Sequence, residues 1–198
     1  RAAVEKDRVR VMFPLISSID EFLTARQIVV ECMDMLDGEG LEFNPKVSIG
    51  MMIELPSVLE TIDEFARQAE FFSIGTNDFV QYMLGADRAN KMVADHYIPH
   101  HPAVNRGIAR IVKAAQDYGI DVSVCGEMAH EKDYIPFLLG VGINILSVDP
   151  QFLPSVQQTI KALKISDARE YARQMTAQTS VEGAEKILTA WKSESWLL

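Results

Sequence analysis

Phe71-Phe72-Ser73-Ile74-Gly75-Thr76-Asn77-Asp78 is an apolar run that stops at a glycine and turns polar at once. A short apolar run stopped by Gly reads as a buried β-strand, and Thr, Asn and Asp after it favour a turn or a helix start. The pattern recurs on both sides. Residues 8–13 (RVRVMF) stop at Pro14, residues 47–54 (VSIGMMIE) at Pro56, residues 121–125 (DVSVC) at Gly126, and residues 143–148 (INILSV) at Asp149-Pro150. Helical spacing fills the intervals. Residues 18–36 place Ile19, Phe22, Leu23, Ile28, Val29 and Met33 on one broad stripe behind a Ser18 and Glu21 capping pair. Residues 57–69 turn Val58, Ile62 and Phe65 inward; residues 102–118 begin with Pro and end at Gly119; residues 133–139 end at Gly140; residues 154–163 follow the last strand.

Strands alternating with helices predict a parallel sheet covered by helices. Two architectures satisfy this. Five strands do not close an eight-stranded barrel, which favours an open doubly wound sheet. The polar residues argue for the barrel: Glu54, Thr76-Asn77-Asp78 and Cys125-Gly126-Glu127 each follow directly on an apolar strand, and barrel chemistry collects at the C-terminal ends of several strands. The expectation is an α/β chain whose residues 1–166 form part of a (β/α)8 TIM barrel. A trailing helical segment, residues 167–198, packs on it through helices at 167–175 and 181–191, with a candidate linker at 167–180.

The 198 residues are 48% apolar and 24% charged, with a net charge of −9. This balance argues against a nucleic-acid or anionic-membrane partner, which calls for clustered Lys and Arg. The longest apolar runs are too short to span a bilayer, and no signal peptide is visible. The sequence opens at Arg1 without an initiator Met, as a fragment would. Two cysteines, Cys32 and Cys125, make neither a disulfide framework nor a zinc pattern; both are expected as buried, reduced thiols of a cytoplasmic protein.

A carboxylate at Glu54, closing an apolar strand, is costly to bury unless a cation compensates, although acids also favour helix N-termini such as the one near Ser57. Asp78 follows the neighbouring strand. Two carboxylates from adjacent strand ends suit Mg²⁺, which takes one or two and fills its shell with water and phosphate oxygens. Asn77 can donate to an anion through its amide. Arg88 is either a solvated surface residue or, given its closeness to the Asn-Asp pair, a phosphate fork. Cys125 can act as a general acid, being mostly protonated at neutral pH; a nucleophilic role calls for a base, and His130 is near in sequence. His96, His100 and His101 read as a surface or interface loop.

Residues 71–82 (FFSIGTNDFVQY), with 50–56 (GMMIELP) before them and 124–129 (VCGEMA) after, resemble the signature of the phosphoenolpyruvate (PEP)-utilising enzymes. Residues 85–90 (GADRAN) resemble the bacterial phosphotransferase Enzyme I branch more than the pyruvate phosphate dikinase and PEP synthase branch. The resemblance covers about residues 8–163 in order and spacing. It implies a (β/α)8 barrel, of which this chain would supply strands four to eight, binding PEP and Mg²⁺. It also implies a kinase-like transferase of sugar transport or nitrogen regulation that dimerises and releases pyruvate, the phosphoryl group going to a histidine on a separate domain and then to the carrier HPr; the alternative is a fragment that dimerises but is inactive alone. On this resemblance Glu54 and Asp78 would hold Mg²⁺, Asn77 and Arg88 would contact substrate, and Cys125 would protonate the enolate. Departures are His130, where the family has Gly, and the absence of the front strands, their arginines and the phosphohistidine motif.

Overall fold

The structure is a computed structural model and describes residues 9–195. Five parallel strands form one sheet: β1 (Arg10–Phe13), β2 (Ser48–Ile53), β3 (Phe71–Gly75), β4 (Asp121–Cys125) and β5 (Ile145–Leu146). Their order in the sheet is their order in the chain, β1 and β5 being the edges. That order decides between the two architectures. A doubly wound sheet reverses its strand order at a switch point, whereas right-handed crossovers in steady succession lay every helix on one face. The winding is that of a barrel, left open between β1 and β5.

The helices are α1 (Ile19–Gly38), α2 (Ile62–Gln68), α3 (Thr76–Leu84), α4 (Pro102–Tyr118), α5 (Ile135–Val141), α6 (Leu153–Ala162), α7 (Ile165–Ala177) and α8 (Val181–Ser195). Alternate strand residues face them. Ile49, Met51 and Ile53, Phe72 and Ile74, and Val122 and Val124 share a buried core with Val58, Phe65, Val104, Ile108 and Ile111. The residues between them define the other face: Arg10 and Met12, Met52, Phe71, Ser73 and Gly75, Ser123 and Cys125, and Ile145. On that face Arg10 pairs with Asp121 at 2.6 Å, its guanidinium 5.0 Å from the centre of the Phe71 ring. In a flat sheet β1 and β4 would stand three spacings, about 14 Å, apart. One arginine and one aspartate meet over that span because the sheet is bent into a trough, as a barrel segment is.

The chain beyond α6 joins the same core. Tyr171, Ala172 and Met175 of α7 and Ala184 and Leu188 of α8 are buried in it, and Trp191 lies 4.6 Å from Tyr171 between ring centres. Arg106 of α4 donates to the carbonyls of Thr176 (3.1 Å) and Gln178 (2.8 Å), satisfying groups that the end of α7 leaves open. Residues 167–180, the candidate linker, are mostly helix, since α7 runs to Ala177.

Other expectations shift. The first strand begins at Arg10, and Arg8 lies outside the described residues. The stripe on α1 is narrower than read: Phe22 is buried, but Leu23 and Ile28 are 39% and 55% exposed. Cys32, expected inside, is exposed. Residues 57–69 split into a 3-10 turn, Pro56–Thr61, followed by α2. The last strand shrinks to two residues, because Ile143 packs into the core instead of pairing. Helix α5 runs through Gly140 and ends at Gly142. Ser18 does cap α1, accepting from Glu21 N–H, and the Glu21 carboxylate reaches back to accept from Ser17 N–H at 2.8 Å.

Candidate active site

Pairing of Ile53 with Ile74 and of Gly75 with Cys125 aligns Glu54, Gly75 and Cys125 in one row at the C-terminal edge of the sheet. Gly75 makes the row possible. A Cβ there would lie 2.8 Å from Cγ and 3.0 Å from Oε1 of Glu54, so the carboxylate lies over the glycine. Glu54 is only 5% exposed. Its Oε2 accepts from Leu15 N–H at 2.7 Å. Leu15, just beyond β1, has φ 52, left-handed backbone that a leucine adopts only at a cost of about 1–3 kcal/mol. The first strand thus contributes a backbone donor to the site, a role that no side chain announces.

Asp78, in the first turn of α3, meets Glu54 from the neighbouring strand end. Burial raises the Glu54 carboxyl above its ordinary range; the Leu15 N–H opposes this, and the charge and contact of Asp78 reinforce it. Two facing carboxylates, one of them buried, call for a shared proton or a cation. Among the described residues no group of three or more His, Cys, Asp or Glu side chains is placed to hold a metal ion. A donor set of two carboxylates fits Mg²⁺ better than zinc or calcium.

The Cys125 thiol donates to Ile74 O at 3.6 Å and receives Ser73 Oγ at 4.0 Å. Burial pushes the thiol up; the Ser73 hydroxyl opposes the rise, and the charges of Glu54 and Asp78 add to it. Those causes place both carboxylates within electrostatic reach of the sulfur. They also keep it protonated, as an acid must be.

Beside this row the next turns interlock. Thr76 Oγ1 donates to Cys125 O at 2.8 Å, and Asn77 Oδ1 accepts from Glu127 N–H at 2.9 Å. The amide nitrogen of Asn77 is then the end left to meet an anion. Arg88 forms an ion pair with Glu127, both side chains over 40% exposed. Tyr97, from the loop after α3, donates weakly to Asn77 O at 3.5 Å; burial first, then Glu127, push its hydroxyl up to about 12, with Arg88 opposing. Glu54, Asn77, Asp78 and Cys125 therefore converge, and Arg88 stands beside them on an acidic partner. Glu127, seen in the sequence only as part of a motif, is that partner. Tyr97 and Leu15 carried no sequence signal.

The histidines lie apart from this chemistry. His101 Nδ1 caps α4 through Ala103 N–H at 3.0 Å, and His100 is half-buried with its pKa lowered, chiefly by burial. Of the expected surface loop only His96 is exposed. His130 stacks on Phe152 with ring centres 3.9 Å apart.

Among solved structures the fold is similar to that of a citrate lyase from Burkholderia xenovorans LB400, at a TM-score of 0.57 and 17% identity, over 94% of this chain and 64% of that one. The family model described as "PEP-utilising enzyme, PEP-binding domain" matches residues 1–165. The chain belongs to this family. Curated relatives of this PEP-binding domain include a phosphoenolpyruvate-protein phosphotransferase of Priestia megaterium, 37% identical over 88% of this chain and 30% of the relative. A multiphosphoryl transfer protein of Escherichia coli O6:H1 is 36% identical over 93% of this chain and 22% of the relative. The chain thus spans less than a third of the length of these relatives. No helix among the described residues is long and apolar enough to cross a membrane.

Proposed function

We propose that this PEP-binding domain is the PEP and Mg²⁺ site of a longer phosphoenolpyruvate-protein phosphotransferase. That enzyme passes the phosphoryl group of PEP to a protein histidine, then to HPr, and releases pyruvate. The observation that carries the reading is the row of Glu54, Gly75 and Cys125, with Asp78 against Glu54: two carboxylates facing a half-buried, protonated thiol across a residue without a side chain. The names of the relatives favour the phosphotransferase branch over the dikinase branch.

Glu54 and Asp78 would hold Mg²⁺, which when bound would supply positive charge to stabilise the developing enolate. The amide nitrogen of Asn77 donates to substrate oxygen, its own Oδ1 being held by Glu127 N–H. Arg88 exchanges the Glu127 carboxylate for the transferring phosphoryl group, whose spread charge a guanidinium fork matches. Departure of the phosphoryl group leaves the enolate of pyruvate. Cys125 gives its proton to the methylene carbon, the enolate electron pair forms the new C–H bond, and the thiolate regains a proton from water.

The test is binding by the full-length protein. Wild type should be stabilised against heat by PEP only when Mg²⁺ is present, and Asp78→Ala should lose that dependence. Equal stabilisation of the two proteins would refute the metal assignment.

A further inference from the structure

We propose that Thr76 is a positioning residue for the proton donor, an inference that rests on the role proposed above for Cys125. Thr76 opens α3, where a threonine would be expected to cap the helix. It does not: Gly75 holds the N-cap position and no side chain caps it. The Thr76 side chain is 0% exposed, and its hydroxyl donates to the carbonyl of Cys125 at 2.8 Å. The bond ties the tip of β3 to the tip of β4 just where their ladder ends, at the Gly75 and Cys125 pair.

Asn77 grips the same turn two residues further along, through the Glu127 N–H at 2.9 Å. Between the two contacts Gly126 has φ 92, and a Cβ on it would stand 2.5 Å from Thr76 Oγ1 and 2.8 Å from Asn77 Oδ1. Two hydrogen bonds thus flank a residue with no room for a side chain, and they lock the turn from Cys125 to Glu127 onto the first turn of α3. Asp78 is the next residue of that turn. The sulfur is therefore fixed relative to the Asp78 carboxylate through Thr76 and Asn77, and not by the sheet alone.

Proton transfer to carbon depends steeply on where the acid sits. The thiol must bring its S–H to about 3–3.5 Å from the methylene carbon, and a misplacement of about 1 Å can cost about 10²-fold. In this structure the S–H points back to Ile74 O at 3.6 Å, so delivery needs a side-chain rotation. A backbone held at the Cys125 carbonyl lets that rotation carry the proton to one place.

The experiment uses the full-length phosphotransferase with Mg²⁺ and pyruvate, reading solvent deuterium entry into the methyl group by NMR. Thr76→Val keeps the branched shape and removes the hydroxyl; Thr76→Ser keeps the hydroxyl. Thr76→Val should slow exchange about ten- to a hundredfold, and Thr76→Ser should stay within about threefold of wild type. Both should keep the wild-type rise in Tm on adding Mg²⁺. Cys125→Ser is measured alongside. If it exchanges at the wild-type rate, or if wild type does not exchange, the reading of the site fails and this inference falls with it. If Cys125→Ser is slow while Thr76→Val matches wild type, or while the Val and Ser variants lose equally, the positioning role alone is refuted. Loss of the Mg²⁺ response in Thr76→Val would mean general damage to the β3–α3 junction and would also overturn it.

Discussion

Replacing Glu54 by glutamine separates the two costs that meet at this carboxylate. An amide keeps the shape, and its carbonyl keeps the Leu15 N–H bond now made by Oε2 at 2.7 Å. Its NH₂ then turns a repulsive contact with Asp78 into a donated hydrogen bond. Two unit charges about 4 Å apart repel by about 4 kcal/mol at an effective dielectric of about 20. Asp78 is only half-buried, and water screening lowers this to about 1–2 kcal/mol. For a chain of this size that is a Tm rise of about 2–8 °C without metal at pH 8. The sign follows from linkage. Burial raises Glu54 in the native state, so the fold holds this proton more tightly than the unfolded chain does. Its contribution is fully present below the ordinary glutamate range and is lost as pH rises through the raised native value. The advantage of the glutamine variant should therefore grow with pH over that window and vanish in acid. With Mg²⁺ at about 100 times its Kd, wild type should gain about 2.7 kcal/mol, or about 5–11 °C, and Glu54→Gln should lose most of that gain. Thermal melts in EDTA and in Mg²⁺ across pH measure both arms. A variant less stable than wild type in EDTA at pH 8, or one with an undiminished Mg²⁺ response, would refute the reasoning.

Arg88→Ala should change Tm by under about 3 °C, because an ion pair as exposed as that with Glu127 contributes little to stability. The same variant should slow phosphoryl transfer from PEP by about 10²–10³-fold; transfer at the wild-type rate would return Arg88 to the surface. Gly140→Ala tests the packing of α7 on α5. The added Cβ would lie 2.0 Å from Ala168 O and 2.7 Å from Ala172 Cβ, so α7 must withdraw by about 1 Å at a cost of about 1–3 kcal/mol. Calorimetry should show a fall of about 2–12 °C, and an unchanged Tm would mean that the two helices are not so closely apposed.

The strands and their chemical tips were legible because each element wrote its own signal. Apolar runs stopped by Gly or Pro gave β2, β3 and β4 within a residue or so, and the polar residues after them gave Glu54, Asn77, Asp78 and Cys125. Barrel winding was not legible from periodicity, since strand order depends on which ladders form, here β1 to β5 in succession. Exposure failed along α1, where Leu23, Ile28 and Cys32 are apolar yet exposed, and apolar spacing alone does not say which positions the tertiary fold covers. Leu15 escaped because its part is played by a backbone N–H, and Tyr97 because only the folded loop carries it to Asn77. Thr76 was read as a turn or cap residue, the local use of such a side chain. Its actual partner lies 49 positions away, at Cys125, and propensity holds no information at that range.

The unusual backbone at Leu15 has a thermodynamic meaning for whatever binds at Glu54. A glutamate that must be immobilised on binding surrenders about 1.5–2 kcal/mol of rotamer freedom. Here the Leu15 amide already holds the side chain in the folded domain, so a cation at the proposed site would meet a donor in its final orientation. The entropy is lost once, when the domain forms, and not again at each round of binding.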